Sequence, residues 1–232
     1  MTLLRVEALS KTYGSRRVGP VSFSLEPGEI GLIVGPSGTG KSTILDMVYG
    51  TRIATNGSVL LTVGGRECDL LKLPVPKLIR VRDHMLGYCT QFLHALPGNT
   101  GIELGLAAAG GSMADAAEMF ERLALPKAIW ANSASSYSGG EKQRLNIALA
   151  ALRQPALLLL DEPLASLDPA LHSRVWGLLA SLAQSGTAVL MGLHELACPI
   201  PYATPLVRLP LVASSGLTEP SGERPGRMPK IG

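Results

Sequence analysis

Cysteines, aromatic side chains and surplus charge are all scarce in this 232-residue chain. The three cysteines, Cys68, Cys89 and Cys198, lie far apart without metal-ligand spacing, so we expect reduced thiols in a cytoplasmic protein. Aromatic residues make up 4% of the chain and the net charge is +3, which is too little stacking surface and positive charge for a nucleic-acid interface. The composition argues against a disulfide-stapled domain and against nucleic acid as a partner.

Long apolar runs are also missing. The longest apolar region, 145–160, is interrupted by Arg153, Gln154 and Pro155, so we expect no direct membrane span. The first six residues are too short, and too soon charged, for a signal peptide. Hydrophobic residues still make up 46% of the chain, enough for a sizeable core. We therefore expect a cytoplasmic chain that meets a membrane, at its inner face, only through a partner.

A glycine-rich stretch stands between a predicted strand and a predicted helix. Residues 30–34 form an apolar run bounded by Gly28 and Gly35, which predicts a short buried strand, and a helical pattern begins near Lys41. The residues between them, completed by Ser42, match the G-x-x-x-x-G-K-[ST] motif. Glycines let backbone N–H groups converge on phosphate oxygens, and the helix N-terminus adds further donors. This order predicts a phosphate-binding loop rather than a chance turn.

The loop predicts a nucleotide site with divided roles. Lys41 reaches the outer phosphates, and the Ser42 hydroxyl holds magnesium. The predicted nucleotide-binding residues of this loop are Gly35, Pro36, Ser37, Gly38, Thr39, Gly40, Lys41, Ser42 and Thr43.

An acidic pair closes a second apolar strand. Residues 157–160 form a continuous apolar run that ends in Asp161 and Glu162, the position at which α/β sheets present ligands. Asp161 is placed to hold magnesium, and Glu162 to polarise an attacking water. The alternative, a helix-capping acidic pair, is disfavoured because a phosphate loop precedes it.

The order of predicted elements indicates an α/β fold. Residues 3–9 predict an edge strand, and the early third of the chain predicts a small, mostly antiparallel sheet. The later strands alternate with helices, which implies a mainly parallel sheet. The further predicted strands are 21–25, 58–63, 86–90 and 187–193, and the predicted helices are 102–109, 113–125, 141–152 and 171–183. A helical block continues to Tyr137.

A serine–glycine pair precedes the helix at 141–152. Ser138 and Glu141 have the spacing of a capping box, so a plain loop and helix cap is one interpretation. The other is that Ser138, Gly139 and Gly140 present a helix N-terminus to a second phosphate group. One chain does not need two such sites on one nucleotide, but a symmetric head-to-tail dimer does.

Gln91 and His194 each end a predicted strand, and alone each is more often structural than catalytic. Taken in order with the other motifs, they resemble those of the ATP-binding subunits of the ABC family over residues 2 to about 212. The matching segments are GPSGTGKST at 35–43 (Walker A), Gln91 (Q-loop), YSGGEKQR at 137–144 (signature), LLLLDEP at 157–163 (Walker B), Ser166 to Asp168 (D-loop) and His194 (switch histidine).

The resemblance implies a fold and a set of roles. The fold is a P-loop nucleotide-binding domain of ABC type: a mainly parallel RecA-like core, a small antiparallel β subdomain and an inserted helical subdomain at about 92–140. It spans 1–212, and a flexible tail follows at 213–232. The implied ligands are ATP and Mg²⁺, sandwiched in a dimer with a second ABC ATPase subunit.

The implied roles fall on matching positions of this chain. Glu162 is the general base, His194 senses the γ-phosphate, and Gln91 contacts magnesium and reports on the nucleotide. Tyr13 stacks on adenine. The partner-facing set of the signature is Ser138, Gly139, Gly140 and Glu141, of which Ser138 and Gly140 contact the γ-phosphate held by the other subunit.

The chain departs from the family at several positions. Tyr137 and Glu141 replace the usual leucine and glutamine of the signature, and Leu149 stands where arginine is common. After His194, three prolines stand where the family usually has an acidic helix, so the C-terminal segment departs from the family pattern.

Two segments are similar to the L-type ATP-binding subunit of the carbon–phosphorus lyase system, which breaks down phosphonates: 89–98 and 129–148. The insertion that starts at Cys68 is similar as well. We therefore expect an ATPase partnered by a soluble lyase complex.

The alternative is the ATPase of a lipoprotein or peptide exporter, partnered by a transmembrane permease. A third hypothesis, a scaffold that binds ATP and hardly hydrolyses it, is disfavoured because all catalytic positions are filled.

Overall fold

The computed structural model describes residues 2–91, 98–194 and 203–209. Its strands are β1 (Leu4–Tyr13), β2 (Arg16–Leu25), β3 (Ile30–Val34), β4 (Asn56–Val63), β5 (Arg66–Asp69), β6 (Leu86–Cys89), β7 (Leu157–Asp161), β8 (Ala188–Leu193) and β9 (Ala203–Arg208). Its α-helices are α1 (Lys41–Tyr49), α2 (Val75–Met85), α3 (Gly101–Ala108), α4 (Met113–Arg122), α5 (Gly139–Leu152) and α6 (Pro169–Gln184).

A parallel sheet forms the centre of the molecule, with strand order β6-β7-β8-β3-β9. Every residue of β3, β7 and β8 is buried, because helices cover both faces of the sheet. This confirms the predicted P-loop fold of ABC type with its parallel core. β9 was not predicted: its proline-rich surroundings hide the strand pattern, and it is an edge strand, where proline is tolerated.

Two hydrophobic clusters lie on the two faces of this sheet, because successive side chains along a buried strand point in opposite directions. Leu158 and Leu160 join one cluster with α5 and α6, whereas Leu157 and Leu159 join the other with α1 and the antiparallel sheet. Helix α5 is buried around much of its circumference, including Leu145 and Ala148. Ile147 and Ala151 are buried as well, since α3 and α4 pack on the side turned away from the sheet.

The second sheet is antiparallel, with order β2-β1-β4-β5. Its existence was predicted, but the prediction of an edge strand at residues 3–9 is wrong: β1 pairs with β2 on one side and β4 on the other. β1 also continues to Tyr13, and its register with β2 shifts at two places along the way. These shifts correspond to the loose alternation of apolar and polar residues in the sequence.

The region between β5 and α5 differs most from expectation. Helix α2 was not predicted; none of its residues is buried, so its apolar pattern is weak. Helices α3 and α4 were predicted, and Ser112 caps α4 by accepting a hydrogen bond from the Asp115 backbone N–H. The stretch from α4 to Tyr137 contains short 3₁₀ turns instead of a continued helix.

Several predictions fall outside the described residues: the tail at 213–232, the loop residues that follow Gln91, and Cys198 with its neighbouring prolines. Within the described ranges, no helix has both the length and the apolar character needed to cross a membrane.

Candidate functional site

Four predicted motifs meet at one edge of the parallel sheet, because parallel strands place their carboxyl ends together. The backbone N–H of Gly35, just after β3, donates to the Leu193 carbonyl at 3.1 Å. Asp161 at the end of β7 lies opposite Gly192 in β8. β6 ends beside β7, so Gln91 follows two residues beyond the last pair of that ladder. The register thus brings the phosphate loop, the acidic pair, Gln91 and His194 to a common edge.

The phosphate loop is built around a buried lysine. The Lys41 side chain is only 3% exposed, and its ammonium donates to the carbonyls of Gly35 at 2.7 Å and Pro36 at 3.0 Å. Helix α1 begins at Lys41, as predicted, so the first turn of the helix and the lysine face the same loop. The loop therefore carries an ammonium and a helix N-terminus, both suited to phosphate oxygens.

Gly40 has to be glycine for two reasons. Its φ of +109° lies in the region that L side chains avoid, and an added Cβ would approach Val18 Cγ1 to 2.5 Å. The guanidinium of Arg16 also donates to the carbonyl of Gly38. Arg16 was missed by sequence reasoning, because it opens β2, 22 positions before Gly38. Two consecutive arginines, Arg16 and Arg17, were the only signal.

Glu162 points back toward the phosphate loop. Its carboxylate Oε1 lies 2.9 Å from the Lys41 ammonium, with the two side chains 16% and 3% exposed. The backbone that achieves this has a φ of +47°, an unusual conformation for a residue with a side chain, and the Glu162 N–H donates to the Gly192 carbonyl at 3.1 Å. Strained backbone of this kind persists where the surrounding structure imposes it, as at functional sites.

Asp161, which the sequence predicts to hold magnesium, is a buried carboxylate at the end of β7. Burial raises the pKa of this carboxyl, and the hydrogen bond from the Ser42 hydroxyl offsets only part of that rise. Asp161 Oδ1 is buried without a hydrogen-bond partner in the part of the chain that the structure describes. A carboxylate oxygen beside a hydroxyl fits Mg²⁺, which takes one or two protein oxygens and completes its shell with water and phosphates.

No group of three or more His, Cys, Asp or Glu side chains with metal-binding geometry occurs among the residues described here. A magnesium site completed by a nucleotide does not require one, because the phosphates supply the remaining ligands.

We expect Asp161→Asn to stabilise the nucleotide-free protein while it abolishes Mg²⁺-dependent turnover. A carboxyl whose folded-state pKa is raised destabilises the fold when ionised, so its cost is complete above the raised pKa and disappears below the ordinary value of about 3.9. Removing this charge should raise the free energy of unfolding by about 1 kcal/mol at pH 7, and the gain should shrink as the pH falls toward 4. Denaturant titrations of both proteins across this range measure it.

The matched control is Asp83→Asn, which removes an exposed carboxylate whose ion pair with Arg153 spans 3.7 Å. It should change the free energy of unfolding by less than about 0.5 kcal/mol, as exposed ion pairs usually do. A loss of stability in Asp161→Asn at pH 7 contradicts the assignment of Asp161 as a buried, uncompensated ligand.

Tyr13, Gln91 and His194 are all exposed, and Tyr13 pairs with Arg16, whose guanidinium contacts the phosphate loop at Gly38. Gln91 and His194 follow strands that flank Asp161. Tyr13 is the last residue of β1, and its hydroxyl accepts a hydrogen bond from the Arg52 guanidinium at 2.9 Å. Arg52 was not singled out from the sequence.

The signature segment forms the predicted capping box. Ser138 Oγ accepts from the Glu141 N–H at 3.3 Å, while the Glu141 carboxylate accepts from the Ser138 N–H at 2.8 Å and from its hydroxyl at 2.7 Å. The hydrogen bonds from Ser138 lower the pKa of Glu141. A Cβ on Gly140 would lie 3.2 Å from the Ser166 carbonyl, so the signature and the predicted D-loop are adjacent within one chain.

Comparisons with known proteins agree with this geometry. Residues 18–165 match the ABC transporter family. The lipoprotein-releasing system ATP-binding protein LolD 2 of Rhodospirillum rubrum is 38% identical over 212 residues, which cover 85% of this chain and 90% of that protein. The phosphonates import ATP-binding protein PhnC of Frankia casuarinae is 33% identical over 224 residues, 90% of this chain and 87% of that protein. A dimeric bacterial ABC transporter cassette has a similar structure, with a TM-score of 0.74 at 25% identity, over 84% of this chain and 89% of that one. This chain therefore belongs to the ABC transporter family, as an ATP-binding cassette that binds ATP with Mg²⁺ and hydrolyses it.

Proposed function

We propose that two cassettes close head to tail over two ATP molecules, each completing the nucleotide pocket of the other. The main support is that the predicted nucleotide-binding residues of one chain fall into two groups. Lys41, Asp161 and Glu162 lie together in one pocket, whereas Ser138 stands exposed at the N-terminus of α5 and bonds to Glu141 of its own helix. An exposed helix N-terminus suits a phosphate brought by another copy.

In this proposal the phosphate loop binds the triphosphate and orients it. Lys41 exchanges its present carbonyl and carboxylate partners for phosphate oxygens, as a charge-assisted donor does when a stronger acceptor arrives. Ser42 and Asp161 hold Mg²⁺, which when bound neutralises charge on the outer phosphates. Release of Lys41 frees the Glu162 carboxylate, which then accepts a proton from the attacking water.

Residues at the rim complete the pocket. Tyr13 stacks on the nucleobase. His194 contacts the γ-phosphate, and Gln91 contacts magnesium and transmits its arrival to the helices that follow. Gly139 and Gly140 leave the start of α5 open to the nucleotide of the second copy. Gln91 and His194 are supported by their position at the same sheet edge, and the glycines by the exposed start of α5. Tyr13 is supported by its pairing with Arg16, whose guanidinium contacts the Gly38 carbonyl of the phosphate loop.

For the wider system, we propose the ATPase subunit of a transporter related to lipoprotein release, working at the cytoplasmic face of a membrane with a transmembrane permease. The identity of 38% to the LolD 2 protein of Rhodospirillum rubrum, over most of both chains, supports this class. The relatives include ATP-binding proteins of phosphonates import as well. The exporter hypothesis, which the sequence alone ranked second, is thereby favoured.

The carbon–phosphorus lyase hypothesis stays a prediction. It rests on the segments 89–98 and 129–148, and most of the first segment lies outside the described residues. Within the second, the Trp130 indole donates to the Leu125 carbonyl at 3.0 Å and packs edge-on against Phe120. These contacts give Trp130 a packing role against the core, which does not distinguish a lyase subunit from other ABC cassettes.

Co-purification separates these two systems. An affinity tag on the chromosomal copy, followed by mild detergent extraction, is expected to recover a permease with spanning helices in stoichiometric amount. Recovery of a soluble multi-subunit lyase without any permease contradicts the transporter proposal and supports the rival. Lys41→Ala serves as the control, because contacts that depend on the ATP-bound state weaken in it whereas adventitious contacts do not.

We also propose the domain limits of 1–212 for the cassette, with a helical subdomain at about 92–140, and a tail at 213–232.

A further inference from the structure

A chain of polar contacts runs from the rim of the nucleotide site into the core. The Tyr13 hydroxyl accepts from Arg52 Nη1 at 2.9 Å, and Arg52 donates from Nε and Nη2 to Asp46 Oδ2 at 3.1 and 2.9 Å. The other carboxylate oxygen of Asp46 accepts from the Tyr88 hydroxyl at 3.0 Å. Arg52 and Asp46, the two middle members, therefore each link one neighbour to the next.

The inner end of this chain is firmly held. Burial raises the pKa of Tyr88, whose ring lies 4.9 Å from that of Tyr49. Asp46 belongs to α1, the helix that begins at the phosphate loop, and Tyr88 belongs to β6, the strand that leads to Gln91. Asp46 is therefore fixed between two elements of the nucleotide site.

The backbone around Arg52 is fixed as well. Its N–H donates to the Asp46 carbonyl at 3.2 Å, just beyond the end of α1. Three residues further on, Thr55 receives the Thr12 N–H at 3.0 Å and donates its own N–H to the Ser10 carbonyl at 2.8 Å. The segment that carries Arg52 is thus fastened on one side to α1 and on the other to the end of β1, beside Tyr13.

The Tyr13 ring is partly exposed, with the Lys11 ammonium 5.8 Å from its centroid. Tyr13 is 40% exposed, and the Arg52 guanidinium carbon lies 5.9 Å from its ring centroid while Nη1 reaches the hydroxyl. The guanidinium therefore sits at the hydroxyl end of the ring. A phenol ring that rotates freely loses conformational entropy when a base stacks on it. A ring that is tethered through its hydroxyl has already lost this freedom in the absence of ligand, so stacking costs less.

We infer that Arg52, anchored by Asp46, is a positioning residue that orients the Tyr13 ring for the nucleobase of ATP. The inference rests on the proposed function, since it requires the nucleobase to stack on Tyr13. It goes beyond that function by assigning part of the affinity for the nucleobase, as distinct from the phosphates, to the ion pair between Arg52 and Asp46.

The test compares the Michaelis constant for ATP with the inhibition constant of tripolyphosphate, which shares the triphosphate and lacks the base. Arg52→Ala and Tyr13→Phe should each raise KM for ATP about fivefold, within the range expected when one side chain must be ordered on binding. The value of kcat and the inhibition constant of tripolyphosphate should stay within about twofold of wild type. Because both substitutions remove one hydrogen bond, the double variant should be no worse than Arg52→Ala within about twofold.

Tyr13→Phe keeps the ring and the whole Arg52–Asp46–Tyr88 chain, so it folds even if Arg52→Ala does not. Arg5→Ala is the control: it removes an arginine of the same strand that pairs with Glu67 at 2.8 Å on the exposed sheet face, and its KM should not change. An unchanged KM in Tyr13→Phe, or a parallel rise of the tripolyphosphate constant, overturns the inference. A wild-type protein that neither binds nor hydrolyses ATP overturns the proposed function instead.

Discussion

Glu162→Gln is expected to slow ATP turnover at least about 100-fold while the protein continues to bind ATP. A positioned general base typically contributes between about 100- and 10,000-fold, because it removes the proton of the attacking water as the bond to phosphorus forms. Glutamine has the same shape but cannot accept this proton. It can still occupy the strained backbone position after β7, so the pocket keeps its form.

The same substitution should trap the closed dimer. If two cassettes meet over ATP and separate after hydrolysis, a variant that binds without hydrolysing accumulates as a dimer in the presence of ATP and Mg²⁺. Size-exclusion chromatography with ATP, and again with ADP, measures this: the ATP sample should elute as a dimer and the ADP sample as a monomer.

The matched control is Glu103→Gln, the same chemical change in a capping box at the start of α3. There the Glu103 carboxylate accepts from the Thr100 N–H and hydroxyl, both at 2.9 Å, and glutamine also serves in such a box. Turnover should stay close to wild type. If Glu162→Gln keeps normal turnover, the role of general base does not belong to Glu162; if turnover falls and no dimer forms with ATP, the proposed assembly is wrong.

Much of the site follows from sequence because its parts are local. The phosphate loop needs one strand, one glycine-rich turn and one helix in succession, and β3 and α1 occur where the motif predicts them. Walker B needs only a buried strand that ends in acids, and β7 is buried throughout. Once both strands belong to one parallel sheet, their carboxyl ends must share an edge, so the convergence of Lys41 with Asp161 and Glu162 was predictable.

Tertiary contacts decide the remainder, and a linear pattern does not contain them. The positive φ of Glu162, which turns its carboxylate toward Lys41, is imposed by neighbours and carries no sequence signal. Arg52 lies 39 positions beyond Tyr13 and meets it only because the end of α1 is fastened to β1. The wrong prediction of an edge strand at residues 3–9 has the same origin. A strand with one apolar face has the same sequence pattern in a central and in an edge position, and β1 is central only because β4 pairs with its second side.

Lys41→Ala is expected to weaken ATP binding at least about 100-fold, which abolishes turnover at ordinary ATP concentrations. A charged hydrogen bond to a buried partner contributes about 1.5–3 kcal/mol, and each 1.4 kcal/mol is tenfold in affinity. Loss of Lys41 acts twice. It takes away the ammonium that meets the phosphates, and it leaves the Glu162 carboxylate, 2.9 Å from that ammonium at present, to face the triphosphate without a counter-charge. Isothermal titration with ATP and Mg²⁺ measures the loss.

The double variant Lys41→Ala with Glu162→Gln separates these two causes. If the uncovered carboxylate contributes to the loss, neutralising it should recover affinity by about tenfold, although not to the wild-type level, because the phosphates still lack their cation. Lys72→Ala is the control: this lysine is 81% exposed, pairs with Asp69 at 3.0 Å and should leave ATP affinity unchanged. Affinity for ATP in Lys41→Ala within about threefold of wild type would show that the loop does not bind phosphate through this lysine. Equal affinity of the single and double variants would show that Glu162 exerts no repulsion, so that the 2.9 Å ion pair is a structural contact and not a competitor of the phosphates.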